Sequence, residues 1–430
     1  MIDRYSSPQM RRVWSDDNRF SQMTLVELAA LEALTVDGVV PVEDFAHIAA
    51  NAHATPDQVK EKEKETKHET AALVAVLGEA SGDAGCRWLH HGLTSSDVVD
   101  TGTALQVKQA GRLILDASHH LCEALRYLMS EHAATPVMAR THGRHAQATS
   151  FGYRVAGWLS EIERSTARFN DALGEMRAGK LSGPVGTHPV LTVAQERRAL
   201  TRLGLFAEEN ATQVVSRDRY ANLLSTMAVL AGGVERIAEN VRLLSQSDID
   251  EVSEGRSAGQ QGSSAMPHKV NPVRSERVVG LSRLLRAYAF AMMQNQALWH
   301  ERDLTHSSVE RIVLPDSFAL MEFAIDECAA VLRGLVVDTD RMKRSAYSVE
   351  AQTGSLLNAL VGLGFARQFA HAALTGAVLK YKAGSLSLVE CLVEELIESE
   401  TGLVAQTLYA AADVDKEVER ASAAVGRSLQ

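Results

Sequence analysis

The feature that most constrains this chain is an apolar stripe that recurs at alternating steps of three and four residues. Val107, Ala110, Ile114, Ala117, Leu121, Ala124 and Leu128 follow it, and so do Leu223, Met227, Leu230, Val234, Ile237, Val241 and Leu244. The pattern returns in Val278, Leu281, Leu285, Tyr288, Met292, Asn295 and Trp299, and in Phe318, Met321, Ile325, Cys328, Leu332 and Leu335. A fifth, less regular run is Phe151, Val155, Trp158, Ile162, Phe169, Leu173 and Met176. A stripe of this period belongs to helices that pack nearly parallel with a slight left-handed supercoil. Runs of this length make rods of roughly 30–40 Å.

The reading is therefore an all-α fold whose centre is a long-helix bundle. Several rods are apolar beyond one stripe, as in 284-LLRAYAFAMM-293. A helix apolar on more than one side needs neighbours on more than one side, so a homo-oligomer that completes the bundle is expected. The 430 residues exceed what one core holds. Three regions are expected: an N-terminal helical domain over 1–93, the central bundle domain over 94–337, and a C-terminal helical domain over 338–430. Ser7-Pro8 reads as an N-cap followed by proline at the first helical position. The run 57-DQVKEKEKETKHET-70 reads as a solvated helix face, and the last region is expected to break near Gly384 and Gly402.

Composition excludes several functions. A net charge of −10 argues against a nucleic-acid binder, which needs a basic face. There is no run of eighteen apolar residues and no signal-peptide core in MIDRYSSPQMRRVW, so neither a membrane span nor secretion is expected. Four scattered cysteines without a CxxC pair suit a reducing cytoplasm. Gly174-Glu-Met-Arg-Ala-Gly179-Lys180 imitates a P-loop, but Leu181 stands where Ser or Thr should hold magnesium, and the segment follows a helix. His142 and His145 lack a nearby acidic or cysteine ligand, so no metal site is read here.

Seven polar islands interrupt the helices: 3-DRYSS-7, 66-TKHE-69, 90-HHGLTSSD-97, 140-RTHGRHAQ-147, 182-SGPVGTH-188, 259-GQQGSSAMPHKVNP-272 and 300-HERDLTHSSVER-311. A single island of this kind is explained by helix capping. Seven with one character, rich in Arg, Lys, His, Ser, Thr and Asn, point to a polyanionic small molecule. In 259–272 the glycines permit tight turns, consecutive N–H groups form an anion nest, and the whole reads as a lid carrying a base and a cradle. Either Ser263 or Ser264 serves as that base on spacing alone.

GSSAMPHKVNP resembles the signature of the fumarase/aspartase superfamily, whose members eliminate fumarate from substituted succinates. IDRYSSPQMRRVWSDDNRF, HGLTSSDVVDT, ARTHGRHAQATSFG and WHERDLTHSSVERIVLPD together resemble its adenylosuccinate lyase branch. The resemblance covers residues 2 to about 316 by motif and implies a three-region helical homotetramer with active sites shared between subunits. It implies a purine nucleotide substrate and no cofactor. It makes Ser263 the general base, His142 the general acid, and His68 a partner that orients the acid or binds substrate. Thr94, Ser95, Thr141, Lys269 and Asn271 would hold the carboxylates. Arg4 and Tyr5 would face the nucleotide, Gln213 and Arg302 would help position it, and Ser307 and Arg311 would take the phosphate. Lys67 and Glu69 flank His68 in the same substrate-binding segment.

Two departures stand out. Glu69 is found where the family pattern has Asp, one methylene shorter, and Pro184 replaces a small residue in SGPVGTH. Other readings are a different superfamily reaction, such as argininosuccinate lyase or carboxymuconate cycloisomerase, or a helical oligomer that has lost activity.

Overall fold

The computed structural model describes residues 2–255, 266, 269–384, 386–396 and 401–428. The fold is all-α with small two-stranded accessories. A 3₁₀ turn at Asp3–Tyr5 precedes α1 (Pro8–Val13), α2 (Asp16–Val36), α3 (Val42–Asn51), α4 (Pro56–Thr66), α5 (Glu69–Ala80) and α6 (Gly82–Trp88). The caps follow the sequence. Ser7 accepts the Met10 N–H with Pro8 at the first helical position, Ser15 accepts that of Asn18, and Thr55 with Gln58 forms a capping box. The charged run read as one helix face is split: α4 ends at Thr66, Lys67 turns left-handed (φ 53°), and α5 restarts at Glu69.

Long helices follow: α7 (Ser95–Glu131), α8 (Phe151–Glu175), α10 (Asp218–Leu244), α11 (Val273–Gln294) and α12 (Thr305–Arg333), with α9 (Val193–Leu203) between α8 and α10. The 37 residues of α7 span about 55 Å. The periodic residues are the buried ones: Val107, Ile114, Leu121 and Leu128 on α7, and Leu223, Leu230, Val234 and Val241 on α10. One stripe overreaches. Trp299 lies five residues past the end of α11 and is 77% exposed.

The sequence also concealed a β-hairpin. β1 (Pro136–Thr141) pairs antiparallel with β2 (Arg144–Ser150), with a register irregularity between Met138 and Arg140. Short two-residue pairs join β3 (Ala178–Gly179) to β4 (Phe206–Ala207), and β5 (Val252–Ser253) to β6 (Val336–Val337).

The C-terminal helices are α13 (Thr339–Ala346), α14 (Val349–Gly362), α15 (Arg367–Ala383), α16 (Leu388–Glu395), α17 (Thr401–Ala411) and α18 (Val414–Ser428). α15 stops just before Gly384, and α17 begins at Thr401, beside Gly402, both as expected.

The chain divides into two compact units whose boundaries fall inside long helices: Met1–Leu121, Ile162–Ala238 and Ser275–Cys328 form one, and Cys122–Glu161, Glu239–Arg274 and Ala329–Gln430 the other. The first unit has a core of Phe20, Val26, Leu31, Leu73, Leu105 and Leu200, drawn from α2, α5, α7 and α9. In the second, Leu356, Leu374, Leu392 and Leu408 close α14–α17 on one another. Met138 and Ala148 of the hairpin pack with Ala346, Ala351, Val414 and Val418, so the C-terminal helices hold the hairpin.

Candidate active site

In the first unit the polar islands converge. His68 is the N-cap of α5: its Nδ1 accepts the Ala71 N–H at 3.3 Å. A nitrogen that accepts carries no proton, so the neutral ring holds its proton on Nε2. That Nε2 lies 3.4 Å from Ser95 Oγ at the start of α7. The capping bond thus makes His68 a donor on its free edge. Thr94 and Ser95 sit where the positive end of the longest helix dipole concentrates, a favourable place for a carboxylate. Asp97 holds that turn, accepting the Thr94 N–H at 2.8 Å and the Gly183 N–H at 3.2 Å. It is fully buried against the Lys180 ammonium, which also donates to the Gly183 carbonyl at 3.0 Å. Burial raises the Asp97 carboxyl above the usual range, against the opposing pull of Lys180. The Lys of the P-loop look-alike is therefore a buried counter-ion.

A cavity of about 310 Å³ adjoins this region, lined among others by Arg19, Glu69, Ser307, Glu310 and Arg311. Glu69 receives both arms of Arg19, at 2.5 and 2.9 Å, and one N–H of Arg311 at 3.3 Å. Ser307 and Arg311 lie one turn apart on α12, and Pro315 cannot donate to the Arg311 carbonyl. Behind them Arg217 is buried between two carboxylates, binding Asp100 at 2.6 and 2.9 Å and Glu310 at 2.9 and 3.1 Å. Burial pushes Glu310 up to about 7 although Arg217 pulls the other way. His306 beside it is pushed down to about 4 by burial and by Arg217.

Gln213 and Arg302 meet: Arg302 Nη1 donates to Gln213 Oε1 at 2.9 Å, and Gln213 Nε2 donates to the Pro184 carbonyl at 3.2 Å. The proline that departs from the family pattern thus supplies a carbonyl to this pair. Arg4 is exposed, and Tyr5 packs edge-on against Phe323 at 5.2 Å.

In the second unit His142 sits at the tip of the hairpin. Thr141 pairs with Arg144, and His142 (φ 53°) and Gly143 (φ 73°) are both left-handed, the pattern of a type I′ turn. The hairpin is anchored by Arg140, whose guanidinium grips the buried Glu251 at 2.8 and 3.0 Å, and by Arg154, which donates to the Met138 carbonyl. Thr141 and His142 are exposed, so the tip projects from a rigid base. Lys269 is exposed, its N–H bound to the Met266 carbonyl at 3.0 Å, and Asn271 is half-buried. Ser263 lies outside the described residues.

Six non-glycine residues are left-handed among those described, and five belong to the islands: Lys67, His90, His142, His188 and His300. Such backbone costs free energy and concentrates at functional sites.

A lyase family model matches residues 4–285. Adenylosuccinate lyase of Synechocystis sp. is 41% identical over 379 residues, 88% of this chain and 88% of the relative. That of Thermotoga maritima is 39% identical over 397 residues, 92% of each. The chain belongs to the adenylosuccinate lyase family. A fumarate lyase from Mesorhizobium sp. BNC1 shares the fold, with a TM-score of 0.88 over 100% of this chain and 99% of that one. Its 24% identity carries the fold and nothing more.

Sequence reasoning missed Arg19, Asp97 with Lys180, and the trio Asp100, Arg217 and Glu310. Arg19 and Asp97 lay within the quoted motifs but gave no signal of their own, because their partners are 50 and 83 residues away.

Proposed function

We infer that this chain eliminates fumarate from adenylosuccinate, giving AMP, and likewise cleaves the succinyl-aminoimidazole-carboxamide ribotide of purine nucleotide biosynthesis. The observation that carries the reading is family membership over about nine-tenths of the chain.

In the reading we favour, Ser263 removes the proton on the carbon beside a succinyl carboxylate. The C–H electron pair becomes the new C=C bond as the C–N bond breaks, and His142 delivers a proton to the departing nitrogen. Charge gathers on the carboxylate as its neighbouring proton leaves, and donors aimed there lower the barrier. Thr94, Ser95, Thr141, Lys269 and Asn271 take that task, with His68 donating from Nε2. Arg4, Tyr5, Gln213 and Arg302 position the nucleotide, Ser307 and Arg311 hold its phosphate, and Lys67 and Glu69 frame His68.

We assign these roles to a homotetramer whose sites draw on several subunits. The support is that α11 exposes Leu284, Phe290 and Met293 around the sides away from its buried stripe in the single chain. We place the enzyme in the cytoplasm, where its four cysteines stay reduced.

The test is fumarate release from adenylosuccinate and, separately, from argininosuccinate by the purified protein. Fumarate with AMP from the first alone is expected; release from argininosuccinate alone overturns the assignment. Ser263→Ala should nearly abolish turnover. Inactive His68→Ala and Lys269→Ala proteins should regain part of the activity when mixed and reassembled. Mixed tetramers that stay inactive would refute shared sites.

A further inference from the structure

Glu69 is a carboxylate inside a cavity assigned to an anion, next to the arginine assigned to grip that anion. Taken alone it opposes the site's function: it repels a phosphate and offers Arg311 an internal substitute. The geometry shows how this conflict is resolved. Arg19 covers both Glu69 oxygens, at 2.5 and 2.9 Å, whereas Arg311 reaches one of them with a single N–H at 3.3 Å. The side chains of Arg19 and Glu69 are 29% and 12% exposed, and that of Arg311 is 63% exposed. A half-buried two-armed pair is held far more firmly than one long bond from a solvated guanidinium.

The neighbouring charges are engaged with one another. Asp16, which also takes Arg19 at 3.1 Å, is bound by Lys60 at 2.8 Å. Asp100 and Glu310 share Arg217. With Glu69 gripped at both oxygens by Arg19, Arg311 is the lining cation held by only one long bond, on the most exposed of these three side chains.

We propose that Arg19, which no motif singled out, is a positioning residue for phosphate-monoester binding: it takes up the charge of Glu69 and so leaves Arg311 free to turn to the ligand. The same grip pins the first residue of α5, directly after His68. This rests on the reading of Ser307 and Arg311 as the phosphate site.

A merely structural Arg19 predicts additive damage, and the present role predicts rescue. Without Arg19, Glu69 captures Arg311 and opposes the phosphate. Removing the Glu69 charge as well frees Arg311 again. The experiment measures Kd for AMP and for inorganic phosphate by calorimetry, with kcat and KM for adenylosuccinate, in wild type, Arg19→Met, Arg19→Lys, Glu69→Gln and the Arg19→Met/Glu69→Gln double variant. Arg19→Met should weaken AMP and phosphate about tenfold, which is about 1.4 kcal/mol. Its KM should rise in step, with kcat falling less than about threefold if the loss is in phosphate binding. Arg19→Lys keeps the charge without the fork and should fall between. The double variant should bind phosphate within about threefold of wild type, the non-additivity of a coupled pair.

Wild-type phosphate affinity in Arg19→Met, or a double variant as weak as Arg19→Met, overturns the proposal. Should Arg19→Met not fold, Glu69→Gln decides: phosphate must bind at least as tightly as in wild type, and a tenfold loss refutes the role. A wild-type protein that binds phosphate but neither binds AMP nor cleaves adenylosuccinate would sink the functional reading and leave the charge arrangement standing.

Discussion

The Lys180 ammonium and the Asp97 carboxylate meet with neither side chain exposed to solvent. Through Asp97 this pair joins the Thr94 N–H at the start of α7 to the Gly183 N–H of the SGPVGTH island. Two islands 86 residues apart thereby share one buried carboxylate. Removing one partner strands a charge in the interior. Lys180→Met is expected to cost about 3–5 kcal/mol, measured by denaturant unfolding. A loss under about 1 kcal/mol, the scale of an exposed pair, would show that Asp97 finds another partner or simply protonates.

His142 has two jobs that one substitution separates. Its left-handed backbone serves the turn, and its ring is assigned to chemistry. Asn-Gly is the most favourable type I′ pair, so His142→Asn should keep or raise the melting temperature. Turnover should still fall about 10²–10⁴-fold, the usual worth of a general acid. Retained turnover in a folded variant would remove His142 from that role.

Gly186 is left-handed (φ 79°), and a Cβ there would stand 1.9 Å from the Ala211 carbonyl oxygen. That backbone leads directly to Gln213, which bonds Arg302 and Pro184. Gly186→Ala should displace residues 211–213 and break the Gln213–Arg302 bond. The expected result is a KM raised about tenfold or more with a modest loss of stability. Unchanged KM would mean that this pair does not position substrate.

His306 links acidity to stability. Its carbonyl accepts from Asn295 at 3.3 Å, while its buried Nδ1 has no hydrogen-bond partner among the described residues. Burial, helped by Arg217, pushes the ring down to about 4, against about 6.5 in an unfolded chain. The folded state thus favours the neutral ring. The contribution to stability is complete above pH 6.5 and is lost as pH falls through 4, amounting to about 3 kcal/mol. His306→Gln should therefore lose less stability than wild type between pH 6.5 and 4, as read from melting temperatures at fixed protein concentration. Parallel pH profiles would exclude His306 as the titrating group.

Helix positions and the family were legible in the sequence because their signals are local. An apolar residue every three or four positions specifies a buried helix face wherever that helix lies, and Ser7, Thr55 and Thr192 cap helices within three residues of themselves. The family resemblance likewise named Gln213, Arg302, Ser307 and Arg311 before any geometry joined them. The hairpin under His142 was not legible. RTHGRHAQ lacks strand-like alternation, and its strands are stabilised by α13, α14 and α18, far downstream in the chain. Nor was the pairing of Arg19 with Glu69, of Asp97 with Lys180, or of Arg217 with Asp100 and Glu310. An isolated charge in a sequence is the same whether it is solvated or buried. Its worth depends on which opposite charge the chain's path brings within about 3 Å after water is excluded, and only the tertiary structure decides that.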